Sequence, residues 1–294
     1  MLPPSALPDW RAQRRALRCQ LEQLARSVDE LAADAQYRAL LSGAARLWRY
    51  SPCNQEMIRM QHRCATSVRG PREWEAVGRK IRPGEPPLAI LAPRHHGGGS
   101  PWPPVAVAVY DVSQTEGRAL ALPAHLEGEA AGLARLLRAP EVLKIRLAWM
   151  EPRAFEAGER VLAASLGGTI AITKGLTELK TALCIAHELA HELLHKGGEC
   201  AAVNSVREAE AHGAAFIVLR ALELPCDAPS YIAWQKGSGA DILRGIDRIS
   251  AAARMILGAC EGKRLRVVIK DPRKPRTKAR RPPKRPVREE ERAW

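Results

Sequence analysis

Residues 186–195 read AHELAHELLH, placing a glutamate, Glu188, between two histidines four positions apart, His187 and His191. On an α-helix, positions i and i+4 lie one above the other on the same face, so both imidazoles can reach a single ion. Zinc favours neutral histidine nitrogens in a tetrahedral arrangement, and a catalytic site keeps one position for water. Glu188 falls beside such an ion rather than on it, where it can take a proton from water and pass it to a leaving amine. That is the chemistry of a zinc metallo-endopeptidase. A third donor is required, and the downstream segment REAEAHG offers Glu208 and Glu210. Glu208 is the favoured ligand: it shares a helix face with His212, whereas Glu210 points elsewhere. His195 lies two turns beyond His187, a poor reach for one ion, and reads as a supporting residue. Tyr231 could donate to an oxyanion in a catalytic role; packing is its ordinary alternative.

These side chains need rigid elements. The spacing predicts a helix over residues 176–195, with Leu183, Ile185, Leu189, Leu193 and Leu194 flanking the motif. Gly167-Gly168 introduces a β-branched run at 169–173, suited to an edge strand that pairs with an extended peptide. Further helices are expected over 127–138, 206–222 (ending before Pro225) and 238–261, with a strand over 142–149. In the N-terminal part, 10–47 carries Leu17, Leu21, Leu24, Val28 and Leu31 at amphipathic helical spacing, and 52–66 reads as a second helix opened by Pro52. Leu88–Ala92 and 105–112 are strand-like, with a glycine- and proline-rich loop at 93–104 between them. The fold class is therefore α+β. A small N-terminal α+β unit precedes a unit with a small sheet, the HExxH helix and a helix carrying the glutamate ligand.

The 294 residues suffice for two modest domains, and no apolar run approaches the length of a membrane span. Seven cysteines at 19, 53, 64, 184, 200, 226 and 260, none at CxxC spacing, argue against a disulfide framework. With no apolar stretch behind the N-terminal charges, a cytoplasmic setting is expected. Of the net charge of +14, residues 263–294 supply ten, from fourteen Lys and Arg against four acidic residues. Proline-rich and nearly free of large apolar side chains, this tail is expected to be disordered and to contact nucleic acid nonspecifically. A solubilising role is the alternative.

HELAHELLH followed by REAEAHGAAFIVLRALEL resembles the ImmA/IrrE-type metallopeptidases, in which HExxH precedes an E-x-x-A-[ND]-x-x-A helix. The resemblance puts Glu208 on the family's metal-ligand glutamate and Ala211 on its alanine, while His212 departs from the usual Asn or Asp. It implies a gluzincin-like domain.

The N-terminal half is similar to the ArdC-like domain of antirestriction proteins through Tyr50-Ser51-Pro52-Cys53-Asn54-Gln55, then GPREWEAVGRKIRPGE (70–85), LAILAP (88–93) and VYDVSQTEG (109–117). That resemblance implies single-stranded DNA binding. The residues themselves supply Arg69, Arg72, Arg79, Lys80, Arg82 and Arg94 around Trp74, with Trp48 and Tyr50 nearby. Cations for phosphates and aromatic faces for bases are the two ingredients of such a site. On the residues alone, Trp48 and Trp74 read rather better as core anchors. With the resemblance, Trp48, Tyr50, Asn54, Arg72, Trp74, Arg79, Lys80 and Arg82 become the candidate nucleic-acid contacts.

The expected organisation is thus an ArdC-like domain at 1–118, a zinc metallopeptidase domain at 119–262 and the tail at 263–294. The expected function is a zinc metallopeptidase fused to a single-stranded DNA-binding domain, acting on an unknown protein substrate in antirestriction or mobile-element protection. The alternative is a regulatory protease that cleaves a repressor or stress-response regulator.

Overall fold

The computed structural model describes residues 15, 19, 30–92, 105–120, 128–151, 162–195, 204–226, 239–265, 267 and 269. Tyr231, the 93–104 loop with Arg94, nearly all of residues 10–29 and the tail beyond 269 lie outside the described residues. The architecture is mixed α+β.

In the N-terminal part, helix α1 (Glu30–Arg46) is followed by α2 (Pro52–Gln61), β1 (Val68–Arg69), α3 (Pro71–Ala76), β2 (Arg79–Ile81), β3 (Leu88–Ala92), β4 (Val105–Asp111) and β5 (Thr115–Gly117). Ser51 caps α2, accepting from the Asn54 amide, and Pro52 occupies the first turn, where its missing N–H costs nothing. The helix ends at Gln61, short of the 66 expected. The strands form an antiparallel sheet of order β1-β4-β3, with β2 and β5 as a separate pair.

The outer edge of β3 would present unpaired backbone groups, and α2 covers it. The Asn54 amide donates to the Leu91 carbonyl at 2.8 Å and accepts from the Leu91 N–H at 3.0 Å. Gln61 does the same for Ala89, at 2.9 and 2.8 Å. Asp111, almost wholly buried, closes the end of β4 by accepting from the amides of Thr66, Ser67 and Ser113.

The second part contains α4 (Gly128–Leu137), α5 (Ala139–Leu143), β6 (Arg146–Met150), β7 (Ala163–Ser165), β8 (Thr169–Thr173), α6 (Glu178–Leu194), α7 (Asn204–Ala221) and α8 (Gly239–Cys260). The strand expected at 142–149 begins only at Arg146. Pro140 opens the short helix α5 instead, and Lys144 ends it in the left-handed region. The sheet order is β6-β8-β7, parallel between β6 and β8 and antiparallel between β8 and β7. Gly167 and Gly168, both at positive φ, make the β7–β8 turn, where a side chain would be strained.

The larger core gathers Ile170 and Ile172 of β8, Ile185 and Leu189 of α6, Ile217 and Leu219 of α7, and Ile249 and Ile256 of α8. Tyr37, Leu41, Ala44 and Ala45 of α1 belong to this same core. These residues of α1 are packed in the core of the second part, beside α7. A smaller core of Leu47, Ile58, Val68, Leu88, Ile90 and Val109 supports the N-terminal sheet.

Candidate metal centre

Helix α6 starts at the cap Thr177, whose hydroxyl accepts from the Lys180 amide. It buries Ala182, Ile185, Ala186, Leu189 and Ala190 completely. That fixed face leaves His187 and His191 on an adjacent one, looking into an open cleft lined also by Ala163, Ala164, Ser165, Arg207 and Glu208. The two imidazole Nε2 atoms are 3.0 Å apart. From α7, Glu208 places Oε2 3.3 Å from His187 Nε2 and Oε1 3.4 Å from His191 Nε2.

These separations can be tested against an ion. Metal–ligand bonds of about 2.0–2.1 Å at tetrahedral angles put donors about 3.4 Å apart, close to these separations, so the triangle is compatible with one small divalent ion. The donor chemistry fits as well. Burial, and then the neighbouring His212, His191 and His195, pull His187 down to about 3, which keeps it neutral with a free lone pair. His191 is also lowered, by burial first, with Glu208 acting in the opposite sense. His212 lies one turn beyond Glu208 on α7. Its ring centroid is 4.4 Å from that of His187, and donor atoms of His187, Glu208 and His212 all lie within 4.8 Å of one another.

Glu188 is buried, and its carboxyl is raised to about 7. Burial is the main cause and the charge of Glu208 the next, while a hydrogen bond from the Ser165 backbone opposes them. A carboxyl poised there can both accept and return a proton near neutrality.

Glu210 lies away from the cleft. It is buried with His195 and Arg248 in a network behind His191. His191 Nδ1 is 3.1 Å from His195 Nδ1, and His195 Nε2 is 2.9 Å from Glu210 Oε2. Arg248 on α8 donates Nε to Glu210 at 2.8 Å and an amino group to the Leu194 carbonyl at 2.9 Å. Burial works to raise Glu210, but the bonds from His195 and Arg248 and the Arg248 charge outweigh it and hold it below the usual carboxylate range. With His195 Nε2–H donating to Glu210, His195 Nδ1 accepts from His191 Nδ1–H, which leaves the Nε2 lone pair of His191 facing Glu208 and His187.

Glu192, one turn beyond Glu188, is a second buried carboxylate. It accepts from Ser165 Oγ at 2.7 Å and from the Gly167 and Gly168 amides at 2.8 and 2.6 Å. Helix α6 is thereby pinned to the β7–β8 turn, and β7 becomes the edge strand beside the cleft. The supporting place of His195 is read from its spacing, but its partners Glu210 and Arg248, and the Glu192 network, are not. The only local sign was the period of four in His187, Glu188, His191, Glu192 and His195.

The expected nucleic-acid residues divide. Trp74 is fully buried, packs beneath Arg69 and donates its indole N–H to the Tyr110 carbonyl at 3.0 Å. It is a core anchor with no face free for a base, which corrects the stacking expectation. Asn54 is also withdrawn from solvent, its amide consumed by the β3 edge. Arg79 spends its guanidinium on Thr115, Gly117 and Arg118, and Arg82 on Glu85 and the Ser113 carbonyl. Arg72 and Lys80 are exposed.

Trp48 and Tyr50 are half-buried and line a wide groove with Arg46, Arg49, Arg69 and Arg220. The Arg49 guanidinium lies 4.6 Å over the Trp48 ring, and the Tyr50 hydroxyl donates to the Val68 carbonyl at 2.9 Å. Burial raises Tyr50 far above the ordinary phenol value, so it stays protonated. Among the described residues no helix is long and apolar enough to cross a membrane.

The two histidines of the HExxH motif and a carboxylate from a second helix thus converge on one point that could hold a divalent ion. No model of a known protein family matches the chain, and no curated protein matches it. Two solved structures of the antirestriction protein ArdC from plasmid R388 are similar to it. The metal-free one aligns over 77% of this chain and 98% of its own, at 14% identity and a TM-score of 0.39. The Mn(II)-bound one aligns over 77% and 97%, at 16% identity and a TM-score of 0.40. Likeness at that level leaves the site to be read from its own geometry.

Proposed function

We propose that this chain is a zinc-dependent peptidase of gluzincin-like design, joined to a unit that binds single-stranded DNA, and that it serves in antirestriction or mobile-element protection. The observation that carries the enzymatic part is the triangle of His187, His191 and Glu208, with Glu188 buried beside it. Zinc, when bound there, supplies Lewis acidity toward a water and a scissile carbonyl. Glu188 holds the water through its carboxylate, takes its proton and returns it to the departing amine. The edge of β7, which pairs with no further strand among the described residues, offers backbone partners to an extended protein segment, which favours a peptide substrate. Glu192 keeps that edge in place.

The DNA-binding part rests on the sequence resemblance and on the groove of arginines with Trp48 and Tyr50. The biological role rests on the resemblance alone. The β7 edge equally suits a regulatory protease that cleaves a repressor, and one variant separates these readings. Glu188→Gln should retain zinc and lose at least about 10²-fold in peptide cleavage, the lower range for a positioned acid–base group. Full cleavage by Glu188→Gln with zinc bound would sink the mechanism. If that variant still protects entering DNA in cells, the antirestriction role rests on DNA binding, whereas loss of the cellular phenotype points to repressor cleavage.

A further inference from the structure

We propose that His212 is a fourth protein donor to the ion, so that three imidazoles and one carboxylate hold it. This rests on the metal-site reading above. Two helices each present a pair of donors at i and i+4: His187 and His191 on α6, Glu208 and His212 on α7. The two helices pack against each other, which brings the pairs close together. Glu208 bridges both histidines of α6, while His212 stands beside His187, with a nitrogen within 4.8 Å of the donor atoms of His187 and Glu208. Its ring is exposed. A rotation of one exposed side chain therefore brings it to the ion.

The consequence is chemical. Four protein donors fill a tetrahedral ion and leave no position for water, whereas a catalytic zinc site keeps one open. Ions that accept five or six ligands retain room for water with the same four donors. His212 would therefore set how much of the zinc-loaded protein keeps a position for water: with its imidazole swung away, His187, His191 and Glu208 leave one open for the hydrolysis proposed above, and ions that accept more ligands depend on it less. Zinc held by all four donors would be in a closed, resting form.

The test uses the full chain, stripped with a chelator and reloaded with Zn2+, Mn2+ or Co2+ alone. X-ray absorption counts imidazoles at the ion, and equilibrium dialysis measures affinity. Three imidazoles are expected in the parent and two in His212→Asn, with a loss of zinc affinity beyond the about 100-fold typical of residues outside the coordination sphere. His212→Asn should raise the zinc-supported cleavage rate relative to the Mn2+-supported one. Far-UV circular dichroism of metal-free His212→Asn and His212→Ala checks that both fold. Two imidazoles in parent and variant alike, with unchanged affinity, overturn the assignment of His212 and leave the His187/His191/Glu208 site standing. A parent chain that binds no metal overturns both.

Discussion

Replacing Arg248 with methionine tests whether the buried network behind His191 carries structure as well as chemistry. Arg248 donates to Glu210 at 2.8 Å and to the Leu194 carbonyl at 2.9 Å, and the side chains of Arg248 and Glu210 are 6% and 7% exposed. Methionine fills comparable apolar volume but removes both bonds and the charge. The Glu210 carboxylate is then left in the interior with His195 as its remaining partner. Removing one member of a buried pair costs about 3–5 kcal/mol, because the orphaned charge keeps its desolvation penalty. In the parent, Glu210 is held below its ordinary value, so its contribution is present at neutral pH and lost as pH falls through the carboxylate range. In Arg248→Met the burial is no longer offset by the cation and the native value rises. The sign therefore reverses, and the variant's deficit grows as pH rises from 5 to 8. Urea unfolding of the chelated protein, followed by circular dichroism at both pH values, reads this directly. The double variant Arg248→Met/Glu210→Gln should recover most of the loss, since no unpaired charge remains. A deficit below about 1 kcal/mol at pH 8, or a double variant as unstable as the single one, would refute the reasoning.

Two further outcomes concern Glu192 and the arginine groove. Glu192→Ala removes the acceptor of Ser165 Oγ and of the Gly167 and Gly168 amides, so unfolding free energy should fall by at least about 2 kcal/mol, with faster hydrogen exchange at those two glycines; unchanged exchange there would show that β7 is held by something else. For the groove, binding of a labelled single-stranded oligonucleotide to the full chain, read by fluorescence anisotropy, should weaken in Arg69→Ala/Arg220→Ala. The slope of log affinity against log salt should fall by roughly 0.7 for each phosphate that is no longer neutralised. An unchanged slope would move the nucleic-acid contacts to another surface, such as Arg72 and Lys80 or the basic tail.

What the sequence made legible follows the range over which its signals act. The i, i+4 spacing is a local property of one helix, so the convergence of His187 and His191 could be read directly. Glu208 and Glu210, two residues apart, must point in different directions, and that too is local. Where Glu210 goes instead depends on Arg248, 38 residues further along a different helix, and no pattern within α7 encodes that partner. Trp74 failed as a stacking residue for the same reason. The basic residues around it are a local signal, but its burial depends on β4, whose Tyr110 carbonyl receives its N–H. At 142–149 the apolar run outweighed a punctuation mark that was present, since Pro140 in a first turn is helix chemistry. Strand β7, three small residues long, has neither length nor β-propensity to announce it.

The spacing of the donors also has a cause outside the donors. A carboxylate on a glutamate stem reaches two histidines on a neighbouring helix at 3.3 and 3.4 Å only if the helices approach closely. The two helices pack against each other, and both bury small residues: Ala182, Ala186 and Ala190 on α6, and Ala211, Ala214 and Ala215 on α7. On the far side of α7, a Cβ added at Gly213 would lie 2.9 Å from Ile249 Cδ1 and 3.3 Å from the Tyr37 hydroxyl, so α7 is also held tightly between α8 and α1. Small buried side chains let the helices of this core come near one another, and α8 and α1 limit where α7 can sit. Within that frame, the Glu208/His212 pair is brought opposite the His187/His191 pair by packing rather than by attraction between the donors. Helix packing thus does much of the work of placing His187, His191 and Glu208 together, which is the condition under which binding free energy goes into holding a metal rather than into ordering its ligands.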